Sequence, residues 1–160
     1  MYQIKPAKNE DKESIIKLYH SLIGIPGCAW STEYPTIEDV QNDIDNNSLY
    51  CLSNSNGDIV AVATVEYDCK LNQPFWNGDI KNHCELARVG VKPEFHNQGL
   101  GHLIVGNMIN DLKKRRFDGI RLLVSKTNHS ALSLYKKLNF QRCGEIRMYD
   151  TDWYCYELGL

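Results

Sequence analysis

Two glycines stand at the start of a predicted helix, in the stretch RVGVKPEFHNQGLGHLI at residues 88–104. The first turn of a helix presents several backbone N–H groups without a partner and a partial positive charge. Where glycine replaces the nearby side chains, an anion can come close enough to accept several of those N–H groups. Gly99 and Gly101 therefore predict a cradle for a phosphate or a pyrophosphate, with the amides of residues 97–101 as donors.

Two familiar phosphate-binding motifs do not fit this turn. A P-loop needs Gly-Lys-Ser/Thr, whereas Gly101 is followed by His102. A dinucleotide-binding turn of the Rossmann type needs a further glycine where Ile104 stands. A G-x-G pair on its own also fits a tight turn with close packing of helix against strand, so this alternative stays open.

The composition is typical of one globular domain. The chain has 160 residues, is 42% hydrophobic and 24% charged, and carries a net charge of −2. These values predict a single domain over residues 1–160. Proteins that bind nucleic acid or anionic membranes are strongly basic, so neither partner is expected. No apolar run reaches the roughly 18–20 residues that are needed to cross a bilayer.

The cysteines and the first residues predict a cytoplasmic location. The opening stretch MYQIKPAKNEDK becomes charged too early for a signal peptide. The six cysteines form no C-x-x-C pair and are expected to be free thiols. The histidines and cysteines show no metal-ligand spacing either, so no metal is predicted.

Hydrophobic periodicity predicts secondary structure in the order β-α-α-β-β-β-α-β-α-β-β. The strand at 84–91, the helix at 98–115 and the strand at 119–125 form a βαβ unit, whose two strands should be parallel. Residues 67–82 show no period, and a loop of that length is more often functional or mobile than accidental. The predicted fold class is α/β, with a mixed, mostly antiparallel sheet that contains one parallel βαβ unit.

The element order and two motifs resemble the GNAT N-acetyltransferase superfamily. One motif is V-x-P-x-x-x-x-x-G-x-G at 91–101, and the other is A-x-x-x-Y-x-x-L-x-F at 131–140, in a helix headed by asparagine. The resemblance implies acetyl-CoA as the cofactor, with its pyrophosphate on the amides of the glycine turn and its pantetheine arm along the preceding strand. The residues implied to bind it are Val89, Val91, His96, Asn97, Gln98, Gly99, Leu100, Gly101 and Asn128.

Two positions depart from the family pattern. His96 stands where the family usually has arginine or glutamine, three residues before the first glycine. Binding by backbone amides should survive this change, and a protonated His96 can assist it. The second motif ends in Asn139-Phe140 rather than Gly-Phe, and asparagine tolerates the same left-handed backbone conformation.

The resemblance assigns the general acid of acetyl transfer to Tyr135. The departing thiolate needs a proton, and a phenol with a pKa near 10 is matched to that task. The alternative for Tyr135 is a half-buried helix residue whose hydroxyl binds the backbone. Asn128 is expected to cap the same helix, which is compatible with its implied contact to the cofactor arm.

The general base is assigned to Glu85, by resemblance to the histone-acetyltransferase branch of the family, either directly or through water. An alkyl ammonium with a pKa near 10.4 is neutral to only about one part in a thousand at pH 7, so a base matters. With a period of two, Glu85 should share a sheet face with Ala87, Val89 and Val91. The alternative is a glutamate in solvent or in an ion pair, for example with Arg88 or Lys81.

The acceptor site is expected between residues 24–36 and residues 67–82, because the corresponding segments wall it in the family. The first candidates for acceptor contacts are Trp30, Glu33 and Tyr34. Further aromatic candidates are Phe75 and Trp76, and further acidic residues that could attract a cationic amine are Glu66, Asp68 and Asp79. Each aromatic residue can equally cover the core.

Two functions follow from these features. The first is an N-acetyltransferase that moves the acetyl group of acetyl-CoA to a primary amine of a small molecule or peptide, by direct attack in a ternary complex. The alternative is a non-catalytic domain that binds acyl-CoA as a sensor or pairs with another chain. Either would be a monomer or a homodimer, and the presence of both Tyr135 and Glu85 favours the enzyme.

Overall fold

The protein folds into one seven-stranded sheet with four helices on its faces, in a computed structural model that describes residues 1–160. The elements follow the predicted order. They are β1 (Gln3–Pro6), α1 (Lys12–Ser21), α2 (Ile37–Asp45), β2 (Leu49–Ser53), β3 (Ile59–Glu66), β4 (His83–Val91), α3 (Leu100–Lys114), β5 (Gly119–Ser125), α4 (His129–Lys137), β6 (Gln141–Met148) and β7 (Thr151–Gly159).

The strand order in the sheet is β1-β2-β3-β4-β5-β7-β6. Only β4 and β5 run parallel, and every other neighbouring pair is antiparallel. The predicted fold class is therefore confirmed. The largest core lies between the sheet and the helices α3 and α4, while α1 and α2 bury a second core against the other face of β2 and β3.

The helices next to the site begin and end where their sequences predict. Asn128 caps α4, because its side-chain oxygen accepts from the N–H of Ala131 at 3.2 Å. Asn139 follows the same helix with φ at 68°, the left-handed conformation that lets a helix stop. On the other face, Thr36 and Asp39 form a reciprocal capping box at the start of α2.

A bulge in β4 changes the predicted face of several site residues. Thr64 pairs with Ala87 and Val62 pairs with Gly90, so one residue of β3 lies between these pairs where β4 has two. Arg88 takes up the extra residue, with φ at 48° in the left-handed region. Glu85 and Ala87 therefore lie on the α1–α2 face, whereas Val89 and Val91 pack toward α3 and α4. The expectation that all four share one face is wrong, because the bulge interrupts the period of two.

The two parallel strands separate after a short contact. Residues 83–85 of β4 pair with residues 119–121 of β5, and no later residue of β4 pairs with that strand. In contrast, β5 pairs with β7 over its whole length. The sheet consequently opens between β4 and β5, and a row of β4 backbone groups on that edge has no ladder partner.

The long segment at residues 67–82 is pinned to the sheet rather than free. Arg121 of β5 forms an ion pair with Glu157 of β7 at 2.7 Å, and both side chains are buried. The same guanidinium donates to the carbonyls of Leu71 and Asn77, which belong to the long segment. A guanidinium with several donors can bind the carboxylate and these carbonyls at the same time. Arg121, held by its ion pair with Glu157, therefore attaches the long segment to the sheet.

The aromatic residues of that segment cover the sheet. Trp76 is buried with Leu71 and Cys155, and Phe75 lies so close to Gly144 that a β-carbon there would be 2.5 Å from the ring. Of the two alternatives for Phe75 and Trp76, the structure supports packing against the sheet and not a wall of the acceptor site.

Glu157→Gln should lower the free energy of unfolding by about 3–5 kcal/mol, because it leaves the buried Arg121 charge without its counter-ion. Chemical denaturation in urea measures this difference. The matched control is Glu145→Gln, which removes an exposed partner of Lys126 and should cost less than about 1 kcal/mol. Equal losses in the two variants would contradict the role given to the buried pair.

Two further features concern the whole chain. None of the four helices is long and apolar enough to span a membrane. All six cysteines are free thiols in the structure.

Candidate active site

The glycine turn presents a run of backbone N–H groups without partners. The N–H groups of Asn97, Gln98 and Gly99 donate to no backbone carbonyl, and the first bond of the helix runs from Leu103 to the carbonyl of Gly99. The N–H groups of residues 100–102 lie in the first helical turn, where no partner within the helix exists. Six consecutive amides therefore stand at the positive end of α3.

The two glycines of the turn have different tasks. Gly99 adopts φ at 76°, and a β-carbon there would meet nothing within 4 Å. At Gly101 a β-carbon would lie 3.3 Å from the Leu134 side chain, so this glycine allows α3 to pack closely against α4. The alternative of close packing thus applies to Gly101, and the open space for an anion lies at Gly99.

His96 closes the turn on the end of β4. Its Nε2 donates to the carbonyl of Val91 at 2.6 Å, and its ring is exposed. Asn97 follows in the left-handed conformation, with φ at 61°, which asparagine tolerates better than most residues. The side chain that departs from the family pattern therefore ties the turn to the end of β4, and the anion donors of the turn are backbone amides.

Val89 and Val91 direct backbone groups into the opening between β4 and β5. The N–H of Lys92 donates to the carbonyl of Val60 on β3, so the backbone groups of Gly90 and Lys92 face β3. Groups of neighbouring residues in a strand alternate between its two edges. The main-chain groups of Val89 and Val91 therefore face the gap, and the Val91 carbonyl is taken by His96.

Tyr135 lies in α4, with its ring in the main core. Its side chain is 6% exposed and packs edge-to-face on Phe140, with ring centroids 5.4 Å apart. Burial is the cause that raises the pKa of its hydroxyl, and no hydrogen bond contributes. The alternative in which the hydroxyl binds the backbone is not what the structure shows. A phenol in this environment stays protonated over the working range of an enzyme and has a proton to give.

Glu85 lies on the opposite face of the sheet and has no hydrogen-bond partner or ion pair. The pKa of its carboxyl is raised to about 7, mainly by burial and also by the neighbouring Glu66, while Arg88 acts in the opposite direction. Glu66 is directly opposite in the ladder between β3 and β4. The ion pair proposed as an alternative for Glu85 is absent, and its carboxylate suits a general base near neutral pH.

Arg88 instead organises a group of side chains that sequence reasoning missed, the Arg88 cluster. The guanidinium donates to both carboxylate oxygens of Asp43, at 2.9 and 3.0 Å. It also donates to Glu66 at 2.6 Å and to the hydroxyl of Tyr34 at 2.9 Å. The sequence held one signal for this cluster, because Asp43 follows Val40 by three residues and so lies on the buried stripe of its helix.

The three first candidates for acceptor contacts lie in the loop between α1 and α2. Trp30 is half-buried, stacks edge-on against Tyr19 at 4.9 Å and lies over Gly90 of β4. Tyr34 is 45% exposed and is anchored by Arg88. Glu33 is exposed and forms no ion pair. The structure thus places Trp30 and Tyr34 next to β4 and leaves Glu33 in solvent.

The loop also reaches the start of α4. Gly27 adopts φ at 86°, and a β-carbon there would lie 2.5 Å from the Cα of Asn128. This contact carries the loop to the end of β5, beside the opening between β4 and β5. The remaining acidic candidates lie in solvent, since Asp68 pairs with the exposed Lys70 and Asp79 is exposed. The structure contains no group of three or more histidine, cysteine or acidic side chains that could hold a metal ion.

Comparisons with known proteins agree with this geometry. A model of the family described as "Acetyltransferase (GNAT) family" matches residues 15–140. An uncharacterized N-acetyltransferase of Dictyostelium discoideum is 40% identical over 57 residues, which are 36% of this chain and 26% of that protein. The [ribosomal protein bS18]-alanine N-acetyltransferase of Escherichia coli K12 is 30% identical over 70 residues, 44% of this chain and 47% of that enzyme. The matches thus span less than half the length of these curated relatives.

Solved structures share the fold over the whole chain. The ribosomal-protein-S18-alanine N-acetyltransferase from Escherichia coli superposes with a TM-score of 0.75 at 20% identity, over 99% of this chain and 94% of that one. A chain of the NatC complex bound to Gag peptide and CoA superposes with a TM-score of 0.78 at 18% identity, over 99% and 98% of the two chains.

Proposed function

Since the chain belongs to the GNAT acetyltransferase family, we propose that it transfers the acetyl group of acetyl-CoA to a primary amine. The observation that carries the proposal is the row of six unpaired amides at the start of α3, next to the opening between β4 and β5. The amides and the helix end suit a pyrophosphate, and the free edge of β4 suits an extended arm with amide groups.

The residues that would hold the cofactor follow from this geometry. The amides of Asn97 to His102 would bind the pyrophosphate, and the open space at Gly99 leaves room for it. The main-chain groups of Val89 and the N–H of Val91 would orient the arm. When bound, acetyl-CoA supplies a thioester whose carbonyl carbon an amine can attack directly, forming the amide bond as the bond to sulfur breaks.

Two side chains would handle the protons. The Glu85 carboxylate would take one proton from the acceptor's ammonium, directly or through water, before the nitrogen attacks. The Tyr135 hydroxyl would give one proton to the sulfur that leaves. Both groups are free to act, because neither makes a hydrogen bond within the chain. Their environments also keep one mostly protonated and the other close to half-ionised at neutral pH.

The proposal also names the chemical class of the acceptor. We infer a cationic amine, because Asp43 and Glu66 already share one guanidinium, and the Glu85 carboxylate opposite Glu66 has no cation of its own. A peptide amine is favoured over other cations, since the relatives named above include enzymes named for the alanine of a ribosomal protein and a complex bound to a peptide. A cytoplasmic location and a monomeric or homodimeric state remain predictions from the sequence.

Thiol release from acetyl-CoA tests the activity. The panel should contain peptides with a free N-terminus, peptides with a blocked N-terminus and a free lysine, and small polyamines. Turnover with any of these supports the enzyme. Tight binding of acetyl-CoA by calorimetry, with no turnover on the whole panel, would favour a non-catalytic sensor instead.

Gly99→Asp should weaken acetyl-CoA binding about 10–100-fold, because it places a carboxylate beside the phosphate position. Titration calorimetry measures the dissociation constant. Gly99→Asn is the matched control, since asparagine has nearly the same shape and tolerates the same left-handed backbone without the charge. We expect a smaller loss in the asparagine variant. Unchanged binding in Gly99→Asp would rule out the pyrophosphate at this turn.

A further inference from the structure

The Arg88 cluster joins three segments on the face of the sheet that carries Glu85. Tyr34 comes from the loop between α1 and α2, Asp43 from α2 and Glu66 from the end of β3, and all three end on the guanidinium of Arg88. The arginine itself projects from the bulge, three residues after Glu85.

The backbone of Arg88 is unfavourable on its own. A φ of 48° is uncommon for a residue with a β-carbon, and such conformations persist where the surroundings impose them. Here four side-chain hydrogen bonds hold the guanidinium, two of them to Asp43. The same bulge moves Val89 to the cofactor side while Glu85 stays on the acceptor side. The conformation of one residue therefore shapes both halves of the site.

The charges of the cluster leave an excess of negative charge next to Glu85. Asp43 and Glu66 are both bonded to one arginine, and Glu85 is bonded to none. Glu66 and Glu85 lie directly opposite in the ladder, on the same face. Two carboxylates at this spacing repel each other unless a cation lies between them or one of them binds a proton.

We propose that Arg88 is the positioning residue of the acceptor site, which holds Glu66 beside Glu85 so that both carboxylates face the ammonium of the acceptor. This inference rests on the proposed function. Asp43 binds the guanidinium in a bidentate manner, which fixes the orientation of Arg88 and therefore the position of the Glu66 carboxylate bound to it. The hydroxyl of Tyr34 accepts from the same guanidinium, and this bond fixes the loop between α1 and α2 that would form a wall of the acceptor site.

Other charged and titratable groups face Glu85 as well. Glu66 lies on β3, Arg88 on β4 itself, and Cys69 at the start of the long segment. Arg121 on β5 is in register with Glu85, but its charge is paired with Glu157. Glu66 and Arg88 are therefore the groups that should control the titration of Glu85, in opposite directions.

The first experiment needs no cofactor and no turnover. The carboxyl of Glu85 is followed by NMR in protein labelled with ¹³C-glutamate, and Glu85→Gln assigns the signal. Glu66→Gln should lower the pH of its titration midpoint, because a neighbouring negative charge is lost. The double variant Arg88→Gln/Asp43→Asn should raise it, because the attraction of the arginine is lost and no buried Asp43 charge is left behind. Midpoints that stay fixed, or move in the same direction, would overturn the proposal whether or not the protein is an enzyme.

The second experiment separates position from charge. Arg88→Lys keeps the positive charge but cannot bind Asp43, Glu66 and Tyr34 together. With the acceptor found in the peptide panel, its KM should rise at least about tenfold, while the KM for acetyl-CoA and the pH profile stay near those of the wild type. Arg116→Gln is the matched control, since Arg116 also has a left-handed backbone but forms no ion pair. A variant Arg88→Lys with an unchanged acceptor KM would show that only the charge matters and would overturn the positioning role.

A direct probe of the ammonium completes the test. Trialanine amide carries a charged N-terminus, and its N-acetylated form does not. Only the charged peptide should shift the Glu85 signal of the wild-type protein. In Glu66→Gln, the same shift should require a concentration of the charged peptide that is at least about ten times higher. Equal responses to the charged and the neutral peptide would overturn the proposal.

Discussion

Tyr135→Phe should reduce kcat about 10²–10⁴-fold while the protein keeps its fold and its affinity for acetyl-CoA. In the proposed mechanism, the lost interaction is the transfer of the hydroxyl proton to the departing sulfur. That interaction exists in the transition state and not in the bound ground state, so the KM for acetyl-CoA should change little. Steady-state kinetics with the acceptor found in the peptide panel measures both quantities.

The structure predicts that Tyr135→Phe leaves the packing and the hydrogen bonds of the protein unchanged. The hydroxyl of Tyr135 makes no hydrogen bond, so phenylalanine leaves no buried partner unsatisfied. The ring keeps its contact with Phe140. The melting temperature should therefore stay within a few degrees of the wild type, and any large loss of turnover belongs to chemistry rather than to folding.

Tyr50→Phe is the matched control for Tyr135→Phe. Tyr50 is half-buried on β2, near the edge of the sheet and away from the opening between β4 and β5. Removal of its hydroxyl should leave kcat within about twofold. Full activity of Tyr135→Phe, measured beside this control, would assign the proton to water and remove the general acid.

The element order and the backbone of the glycine turn could be predicted because local sequence determines them. The period of 3.6 in α3, the caps of α4 and the glycines of the turn act over a few residues, and each agrees with the final fold. The left-handed backbone at Gly99 is an example, since only a residue without a β-carbon adopts it freely. Such features can be read without knowing what lies across the sheet.

The bulge and the Arg88 cluster could not be predicted in the same way. The sequence CELARVGV at 84–91 gives no local sign of an extra residue, because arginine is not a residue that favours a left-handed backbone. The bulge is held by Asp43 and Glu66, which are 45 and 22 residues distant in the sequence. The attachment of the long segment at residues 67–82 to the sheet has the same kind of cause, since it depends on Arg121, which forms an ion pair between β5 and β7.

The catalytic candidates fall between these two cases. The resemblance assigns catalytic roles to Tyr135 and Glu85, but it does not give the environments of their side chains. Glu85 has no partner because Arg88, only three residues later, is bonded to Asp43 and Glu66, which are distant in the sequence. The neighbours therefore leave Glu85 with a raised pKa rather than in an ion pair.

Glu85→Gln should have opposite effects on activity and stability. Between pH 4.5 and about 7, the folded protein holds a proton on Glu85 that the unfolded chain has released. The contribution of Glu85 to stability therefore falls as pH rises through this window, and above pH 7 the wild type bears the full cost of a buried carboxylate. The glutamine variant has no such cost. It should be more stable than the wild type at pH 8, by up to about 3 kcal/mol, and the difference should vanish near pH 4.5.

Denaturation at pH 5 and pH 8 measures this difference, and Glu13→Gln is the matched control. Glu13 is exposed on α1, so its replacement should change stability by less than about 0.5 kcal/mol at either pH. A variant Glu85→Gln that is less stable than the wild type at pH 8 would show that the carboxylate is structural and would contradict its assignment as a base.

The activity of the same variant should be about 10²–10⁴-fold lower at pH 7, because no carboxylate takes the proton from the ammonium. The value of kcat/KM in the wild type should rise with pH and level off near pH 7, where Glu85 becomes ionised. In Glu85→Gln the value of kcat/KM should keep rising up to the pKa of the acceptor amine. Without the carboxylate, only acceptor molecules that are already deprotonated in solution can react. The deficit of the variant should therefore shrink above pH 7, and more so for an acceptor with a higher pKa. A constant deficit up to pH 9 would point to damaged packing and would exclude Glu85 as the base.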